Sequence, residues 1–192
     1  MLGHNLVESY NEAYVRNELS ISQRRGIITL IPKEDGSLLD LSNWRPITLL
    51  NVDSKIATKA LAKRLEASLP KLVNPDQTGF IKGRYIGENI RLIIDTMEFT
   101  KTHNIPGILV SLDFRKAFDS LEWPFIMRTL DAFNFGTSIK KWVSTFYTNV
   151  ENAVLNNGFL TNWFRPSRGV RQGCPLSPYL FILSAEIGRA HV

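Results

Sequence analysis

The sequence predicts an α+β fold, in which short strands alternate with helices along one chain. Two β-rich runs, 27–31 and 47–50, come early, and an apolar run at 108–113 predicts a third strand. A hairpin with Asn157-Gly158 at its turn follows much later. Stretches with apolar residues at helical spacing lie between these runs. The strands are too scattered for a doubly wound parallel sheet, so the α+β class is the better match.

The first elements are a helix and a pair of strands. Residues 4–20 carry a ragged apolar face at helical spacing, which predicts a helix. The strands at 27–31 and 47–50 flank a turn-rich connection that contains Asp35-Gly36.

A long helix and an irregular segment follow the second strand. Asp53 is predicted to cap a helix that runs to about Leu69, and Pro70 and Pro75 are predicted to end it. The next stretch, NPDQTGFIKGRYIGEN, has three glycines and little periodicity. It therefore predicts a loop, which either has a functional role or is merely a long connection.

The remaining elements are mostly helical. Apolar residues at helical spacing predict helices around residues 90–97, 123–130 and 139–150, of which the third has the cleanest apolar face. The strand at 108–113 lies between the first two of them. After the hairpin comes a basic loop broken by glycine and proline, and Pro178 is predicted to open a last helix.

The composition is that of a folded chain with a mild positive charge. Hydrophobic residues make up 44% of the 192 positions, and 23 Lys and Arg against 18 Asp and Glu give a net charge of +5. This excess permits a polyanionic partner without establishing one. The single cysteine, Cys174, excludes an internal disulfide framework and a cysteine-based zinc site.

Neither a secretory signal nor a membrane-spanning segment is predicted. The N-terminus has no basic segment followed by an apolar stretch, and the apolar runs are far shorter than the roughly 20 residues of a membrane helix. We therefore expect an intracellular protein of the cytoplasm, the nucleus or both, without a membrane partner. The sequence leaves the oligomeric state open.

The stretch VSLDFRKAFDSLEW is the first candidate for chemistry. Asp113 ends the predicted strand, where an unpaired charge would be costly to bury, so it either has a partner or binds a ligand. A carboxylate at a rigid strand end could hold a divalent cation, and a helix cap or a surface aspartate is the alternative. Phe118 is either a core residue or part of a pocket, and Asp119 is predicted to cap the following helix.

A second candidate stretch is SRGVRQGCPLSPYLF. Arg168, Arg171 and Gln172 surround two glycines, which allow a backbone to approach a ligand closely. Arginine suits phosphate, although a solvated basic loop is the alternative. The first basic stretch, from Lys33 to Arg45, has the same two interpretations.

Four stretches together carry a resemblance to a known family. In chain order they are IPKEDGSLLDLSNWRPITLLN, DQTGFIKGRYIGENI, LVSLDFRKAFDSLEW and SRGVRQGCPLSPYLF. Over residues 27–186 the sequence closely resembles the reverse transcriptase domain of LINE-type non-LTR retrotransposons. The resemblance implies a right-hand polymerase fold that contains the fingers and the first part of the palm, truncated before the second catalytic motif.

The resemblance also implies roles for individual residues. Asp113 matches the first catalytic aspartate, which with the backbone carbonyl of Phe114 would contact Mg²⁺. Phe118 matches the aromatic that lies under the incoming sugar and rejects a 2′-hydroxyl. The remaining matches are Gln172 and Gly173, which would pack against nucleotide and template, and Lys33 and Arg45, which align less securely with residues that hold the triphosphate.

One departure from the family pattern bears on activity. The Tyr-Ala-Asp-Asp hairpin that completes the two-ion site of this family does not occur in the sequence. One carboxylate cannot hold the two magnesium ions that nucleotidyl transfer requires. We therefore expect a fragment of an RNA-directed DNA polymerase that would use an RNA template, a DNA primer and dNTPs, with this chain by itself inactive.

The chain is expected to divide into two unequal parts. Residues 1–187 correspond to the partial reverse transcriptase domain. Residues 188–192 are predicted to be a non-native tail, because EIGRAHV could be encoded by read-through into a sequencing-adapter oligonucleotide.

Two other functions fit part of the pattern. A non-catalytic nucleic-acid-binding module made from polymerase fingers would use the basic loop residues Arg168 and Arg171 and a stripe of lysines spaced by four, Lys55, Lys59 and Lys63. A solvated helix face is the alternative for that stripe. A metal-dependent phosphohydrolase with Asp113 as nucleophile would leave the second basic loop unexplained.

Overall fold

The computed structural model describes residues 2–34 and 37–189. The fold is a mixed arrangement of one small sheet and several helices. The elements in chain order are the helices α1 (Leu2–Arg16) and α2 (Ile21–Arg24), strand β1 (Arg25–Pro32), a 3₁₀ turn (Leu41–Asn43), strand β2 (Trp44–Leu50), the helices α3 (Val52–Leu72), α4 (Gly87–Thr102), α5 (Ala117–Ser120), α6 (Trp123–Ala132) and α7 (Thr137–Tyr147), strands β3 (Glu151–Asn156) and β4 (Phe159–Leu160), and helix α8 (Ser177–Arg189).

The four strands form one sheet in the order β2-β1-β3-β4. β1 pairs antiparallel with β2, so that Ile28 lies opposite Thr48, and parallel with β3, so that Gly26 lies opposite Asn152. The two early strands are confirmed, and the predicted turn at 35–36 lies outside the described residues. The hairpin of β3 and β4 is also confirmed, with Asn157 and Gly158 both at positive φ, as its two-residue turn requires.

The core lies mainly between helices. Leucines of α3, α6 and α8, such as Leu65, Leu130 and Leu183, are at most 1% exposed. They belong to one cluster that also includes Val143 and Phe146 of α7, the helix with the cleanest predicted apolar face. The apolar spacing therefore identified the helices that build the core.

Two predicted helix boundaries were wrong. α1 ends at Arg16 rather than at residue 20, because Asn17 adopts a positive φ of 55° and turns the chain. α3 begins one residue before Asp53, which lies in its first turn and accepts a hydrogen bond from the Ser54 amide at 2.8 Å. The N-cap position is held by Asn51.

The prediction that Pro70 ends α3 was also wrong. The helix includes Pro70 and runs to Leu72, and the Val73 amide still donates to the Leu69 carbonyl at 3.0 Å. A proline removes only its own amide donor, so later residues can continue the hydrogen-bond ladder of the last turn. Of the predicted non-native tail, residues 188 and 189 continue α8, and 190–192 lie outside the described residues.

The predicted strand at 108–113 is absent. The chain there has no regular secondary structure, and Ile108 and Leu112 are 92% and 88% exposed. A strand needs a neighbour to accept its backbone hydrogen bonds, and none of the strands among the described residues pairs with this segment. Apolar content alone therefore did not make this stretch a strand.

Candidate active site

Asp113 lies on an exposed, irregular segment rather than at the end of a buried strand. Every residue from 101 to 116 is exposed, so the Asp113 carboxylate needs no partner to offset burial. The chain turns just after it, where Lys116 adopts a positive φ of 51° and begins the short helix α5. The physical argument that a buried Asp113 must hold a ligand therefore does not apply.

Three phenylalanines cluster beside Asp113. The Phe118 ring stacks on Phe181 of α8 with 5.3 Å between centroids and an interplanar angle of 25°. Phe114 meets the same ring edge-on at 5.9 Å and is itself 68% exposed. Phe114 and Phe181 line an open cleft of about 720 Å³ that continues along α5, α6 and α8. Phe118 thus has a packing role, which leaves its predicted role under a sugar untested.

Asp119 does not cap a helix, contrary to the sequence-based expectation. It lies inside α5, and the helix that follows, α6, has Glu122 at its N-cap position. Partial burial raises the pKa of the Asp119 carboxyl, and nearby Lys116 opposes this shift. Asp119 lines a small pocket together with Arg168 and Gln172.

The loop between β4 and α8 packs on the sheet through Gln172 and Gly173. The Thr48 amide of β2 donates to the Gln172 carbonyl at 2.7 Å. Gly173 has a φ of +111°, and a Cβ there would lie 2.6 Å from the Thr48 carbonyl oxygen. Only glycine suits both the left-handed backbone and this close approach.

The two residues predicted to hold a triphosphate lie on strand β2 and directly after its neighbour β1. Arg45 is exposed on β2, three residues before Thr48, and pairs with Ile31 of β1. Lys33 follows β1 directly, is exposed, and donates through Nζ to the Ser42 carbonyl at 3.0 Å. The structure therefore places Lys33 and Arg45 near each other, and Gln172 contacts the strand that carries Arg45.

The two arginines of the same loop differ in exposure. Arg168 is exposed, whereas the Arg171 guanidinium points inward and donates to the Arg24 carbonyl at 2.5 Å. Burial lowers the pKa of Arg171, and it raises the pKa of neighbouring Tyr147. Arg171 thus joins the loop to the protein interior, while Arg168 is available to a ligand.

The predicted lysine stripe lies along α3. Lys59 and Lys63 are exposed one turn apart, and Lys55 is half-buried. Buried leucines occupy other positions of the same helix, including Leu61 and Leu65. α3 therefore presents two or three positive charges outward from a helix that is anchored in the core.

Two separate parts of the candidate site are joined by a contact that sequence reasoning missed. The Gly169 and Val170 amides donate to the carbonyls of Leu121 and Phe118, each at 2.7 Å. The Trp123 indole Nε1 donates to the Gly169 carbonyl at 2.9 Å. Apolar spacing predicts a helix that includes Trp123, but spacing does not show where its indole donor points.

The described residues do not form a complete metal centre. No group of three or more His, Cys, Asp or Glu side chains is arranged to hold a metal ion within residues 2–34 and 37–189. The Asp113 carboxylate is one oxygen ligand of the kind that divalent cations prefer.

Among the same described residues, no helix has the length and apolarity to cross a membrane.

The family comparison identifies the class of protein to which this mixed fold belongs, a nucleic acid polymerase. Residues 31–187 match the family model described as reverse transcriptase (RNA-dependent DNA polymerase). The chain belongs to the reverse transcriptase family, whose members use divalent metal ions.

The relatives are proteins of non-LTR retrotransposons. The chain is 38% identical over 185 residues to the transposon TX1 uncharacterized 149 kDa protein of Xenopus laevis, covering 96% of this chain and 14% of the relative. It is 37% identical over 161 residues to a retrovirus-related Pol polyprotein from the type-1 retrotransposable element R2 of Popillia japonica, covering 80% and 21%. The chain thus spans about a fifth or less of the length of these relatives.

Proposed function

We propose that this chain supplies the fingers and the first part of the palm of an RNA-directed DNA polymerase. The longer protein would extend a DNA primer along an RNA template with dNTPs, in the cytoplasm or the nucleus. Residues 1–187 would form this partial domain. The observation that supports the proposal best is the packing of the 168–173 loop against both β2 and the 118–121 segment. These contacts bring together three motifs that are separate in the sequence: the one that contains β2, the one that contains Phe118, and the 168–173 loop.

The proposed nucleotide contacts come from that arrangement. Gln172 and Gly173 would pack against the incoming nucleotide and the template, and Phe118 would lie under the sugar. Lys33, directly after β1, and Arg45 of the neighbouring strand β2 are exposed and carry the charges that would hold the triphosphate. Arg168, also exposed, would contact a backbone phosphate.

The proposed metal ligands are the Asp113 carboxylate and the Phe114 carbonyl. The ion would be Mg²⁺, which prefers carboxylate and carbonyl oxygens. Because the described residues offer no complete ligand set, other parts of the polymerase would have to supply the rest. We therefore expect the 192-residue chain by itself to show no primer extension.

Primer extension with a full-length protein that contains this chain tests the proposal. We expect Mg²⁺-dependent DNA synthesis on an RNA template, and loss of at least about 100-fold in Asp113→Asn, because the substitution removes a metal ligand. Asp95→Asn, an exposed change on α4 that only breaks an ion pair with Arg91, is the matched control. Full activity in Asp113→Asn would contradict the assignment.

A second candidate function is nucleic acid binding without catalysis. The exposed lysines of α3 favour it, since phosphate contacts need only accessible positive charge. The 192-residue chain should then bind RNA or DNA in a salt-dependent way. The logarithm of the affinity should fall with the logarithm of the salt concentration, with a slope of about 0.7 to 0.9 per phosphate contact. Replacing Lys55, Lys59 and Lys63 by Ala should reduce that slope by up to about 2 to 3.

Binding to nucleic acid without activity in the full-length protein would favour this second function. If the slope is unchanged in the triple variant, the three lysines do not contact nucleic acid and form only a solvated helix face.

A further inference from the structure

Trp123 connects the two segments on which the proposed site depends. Its indole Nε1 donates to the Gly169 carbonyl at 2.9 Å, across 46 positions of the chain. The backbone bonds from Gly169 to Leu121 and from Val170 to Phe118 lie beside it. Of these three links, the one from Trp123 is the only one made by a side chain, so it is the one that a substitution can remove cleanly.

The anchor of this link is rigid. Trp123 begins α6, whose residues Ile126 and Leu130 are at most 1% exposed. The ring also packs against Tyr147 of α7, with 5.6 Å between centroids. The indole is therefore fixed in position before it meets the loop.

The loop, in contrast, depends on a few specific contacts. Residues 165–173 contain no helix and no strand of the sheet. Gly169 has a φ of +94°, and a Cβ there would lie 3.0 Å from the Asp119 carbonyl oxygen, so the loop passes very close to α5. On its other side the loop is held by the bond from the Thr48 amide to Gln172. The loop is also held by Arg171, which donates to the Arg24 carbonyl, and by Val170, which is 2% exposed. Losing the Trp123 bond should therefore shift the Gly169 end of the loop, and Gln172 with it.

We infer that Trp123 is a positioning residue of the polymerase, which fixes the 168–173 loop relative to Phe118. This inference rests on the proposed function, because its consequence concerns the nucleotide that Gln172 and Gly173 would contact. A displaced loop would weaken nucleotide binding more than the chemical step, since Asp113 is not part of the link. KM for dNTP should therefore rise while kcat changes little.

The first experiment uses the 192-residue chain and needs no activity. Trp123→Phe keeps an aromatic ring but removes the indole donor and part of the side-chain volume, so amide hydrogen exchange at residues 169 and 170 should become about tenfold faster. Exchange in β1 and β2 away from Thr48 should be unchanged.

Trp142→Phe is the matched control. This tryptophan of α7 stacks on Phe146 and packs on Tyr14 rather than on the loop, so the same substitution there should leave exchange at 169 and 170 as in the wild type. Unchanged exchange in Trp123→Phe, or equal acceleration in both variants, would overturn the inference.

The second experiment measures steady-state kinetics in the full-length protein. We expect Trp123→Phe to raise KM for dNTP about tenfold with kcat within about threefold of the wild type. A fall in kcat at constant KM, or no change in either, would contradict the positioning role. If the wild-type protein shows no polymerase activity, the proposed function fails, and the exchange experiment still decides whether Trp123 positions the loop.

Discussion

The stretch from α4 to Asp113 and the stretch from α6 to α8 have similar apolar content but very different burial. None of the residues of α4 is buried, and Ile90, Leu92 and Met97 are each more than half exposed. In α6 and α8, Leu130 and Leu183 have no exposed surface. Helical spacing of apolar residues thus predicts a helix in both stretches, but burial also requires a surface that packs against it.

The comparison is sharpest in two matched leucine variants. Leu130→Ala should lower the free energy of unfolding by about 3 kcal/mol, because it opens a cavity in a closed core. Leu92→Ala, the same change in another helix, should cost less than about 0.5 kcal/mol, since the side chain is 57% exposed. Urea unfolding measures both values. Equal costs would mean that α4 is packed in solution.

Two glycines at positive φ provide a second test. In Gly158→Ala a Cβ meets nothing within 4 Å, so the cost should be the backbone strain alone, about 1 kcal/mol. Gly173→Ala should cost at least about 1 kcal/mol more, because the Cβ also meets the Thr48 carbonyl. The free energies of unfolding from urea titration decide this. If the two costs agree, the loop does not lie against β2 as described.

Phe118 lies where the two stretches meet, and its substitution separates packing from substrate selection. In the full-length polymerase, Phe118→Val should lower the preference for dNTP over the matching rNTP by about tenfold, because a smaller side chain opens space for a 2′-hydroxyl. The ratio of kcat/KM for the two substrates is the measurement. An unchanged ratio with reduced stability would make Phe118 a core residue that stacks on Phe181.

The smallest effect is expected at Asp119. Its carboxyl pKa is raised in the folded state, so the contribution of this group to stability should fall as the pH rises from the ordinary aspartate pKa to the raised one, and stay level above it. Asp119→Asn should remove that fall and stabilise the protein at neutral pH by less than about 1 kcal/mol, since the group is partly solvated. Thermal unfolding across pH 3 to 7 tests this. A loss of stability at neutral pH would reveal a partner for the carboxylate.

Local features of the fold could be predicted because their causes are local. The turn at Asn157-Gly158 needs positive φ at two successive residues, which Asn and Gly tolerate, and it therefore defined the β3–β4 hairpin. The strand predicted at 108–113 failed for the opposite reason. Strand formation there depends on a partner that no local pattern specifies, and no described strand supplies one.

The family could be predicted from the sequence, but the contacts within the candidate site could not. The order of four motifs singled out Asp113, Phe118 and Gln172, and the family match over residues 31–187 confirmed the family. The inward turn of Arg171 and the bond from Trp123 to Gly169 depend on how separate segments pack. Side chains that contact distant backbone atoms leave no periodic signal in the sequence.

The parallel pairing of β1 with β3 has a consequence for how the chain folds. Arg25 and Glu151, which face each other across these strands, are 126 positions apart, so a very long loop must close before the sheet is complete. Such non-local pairing slows folding. At 5 to 20 residues per second, the ribosome would need roughly 6 to 25 s to make the intervening chain. Throughout that interval one edge of β1 has no strand to pair with, and it is then most open to aggregation with other nascent chains.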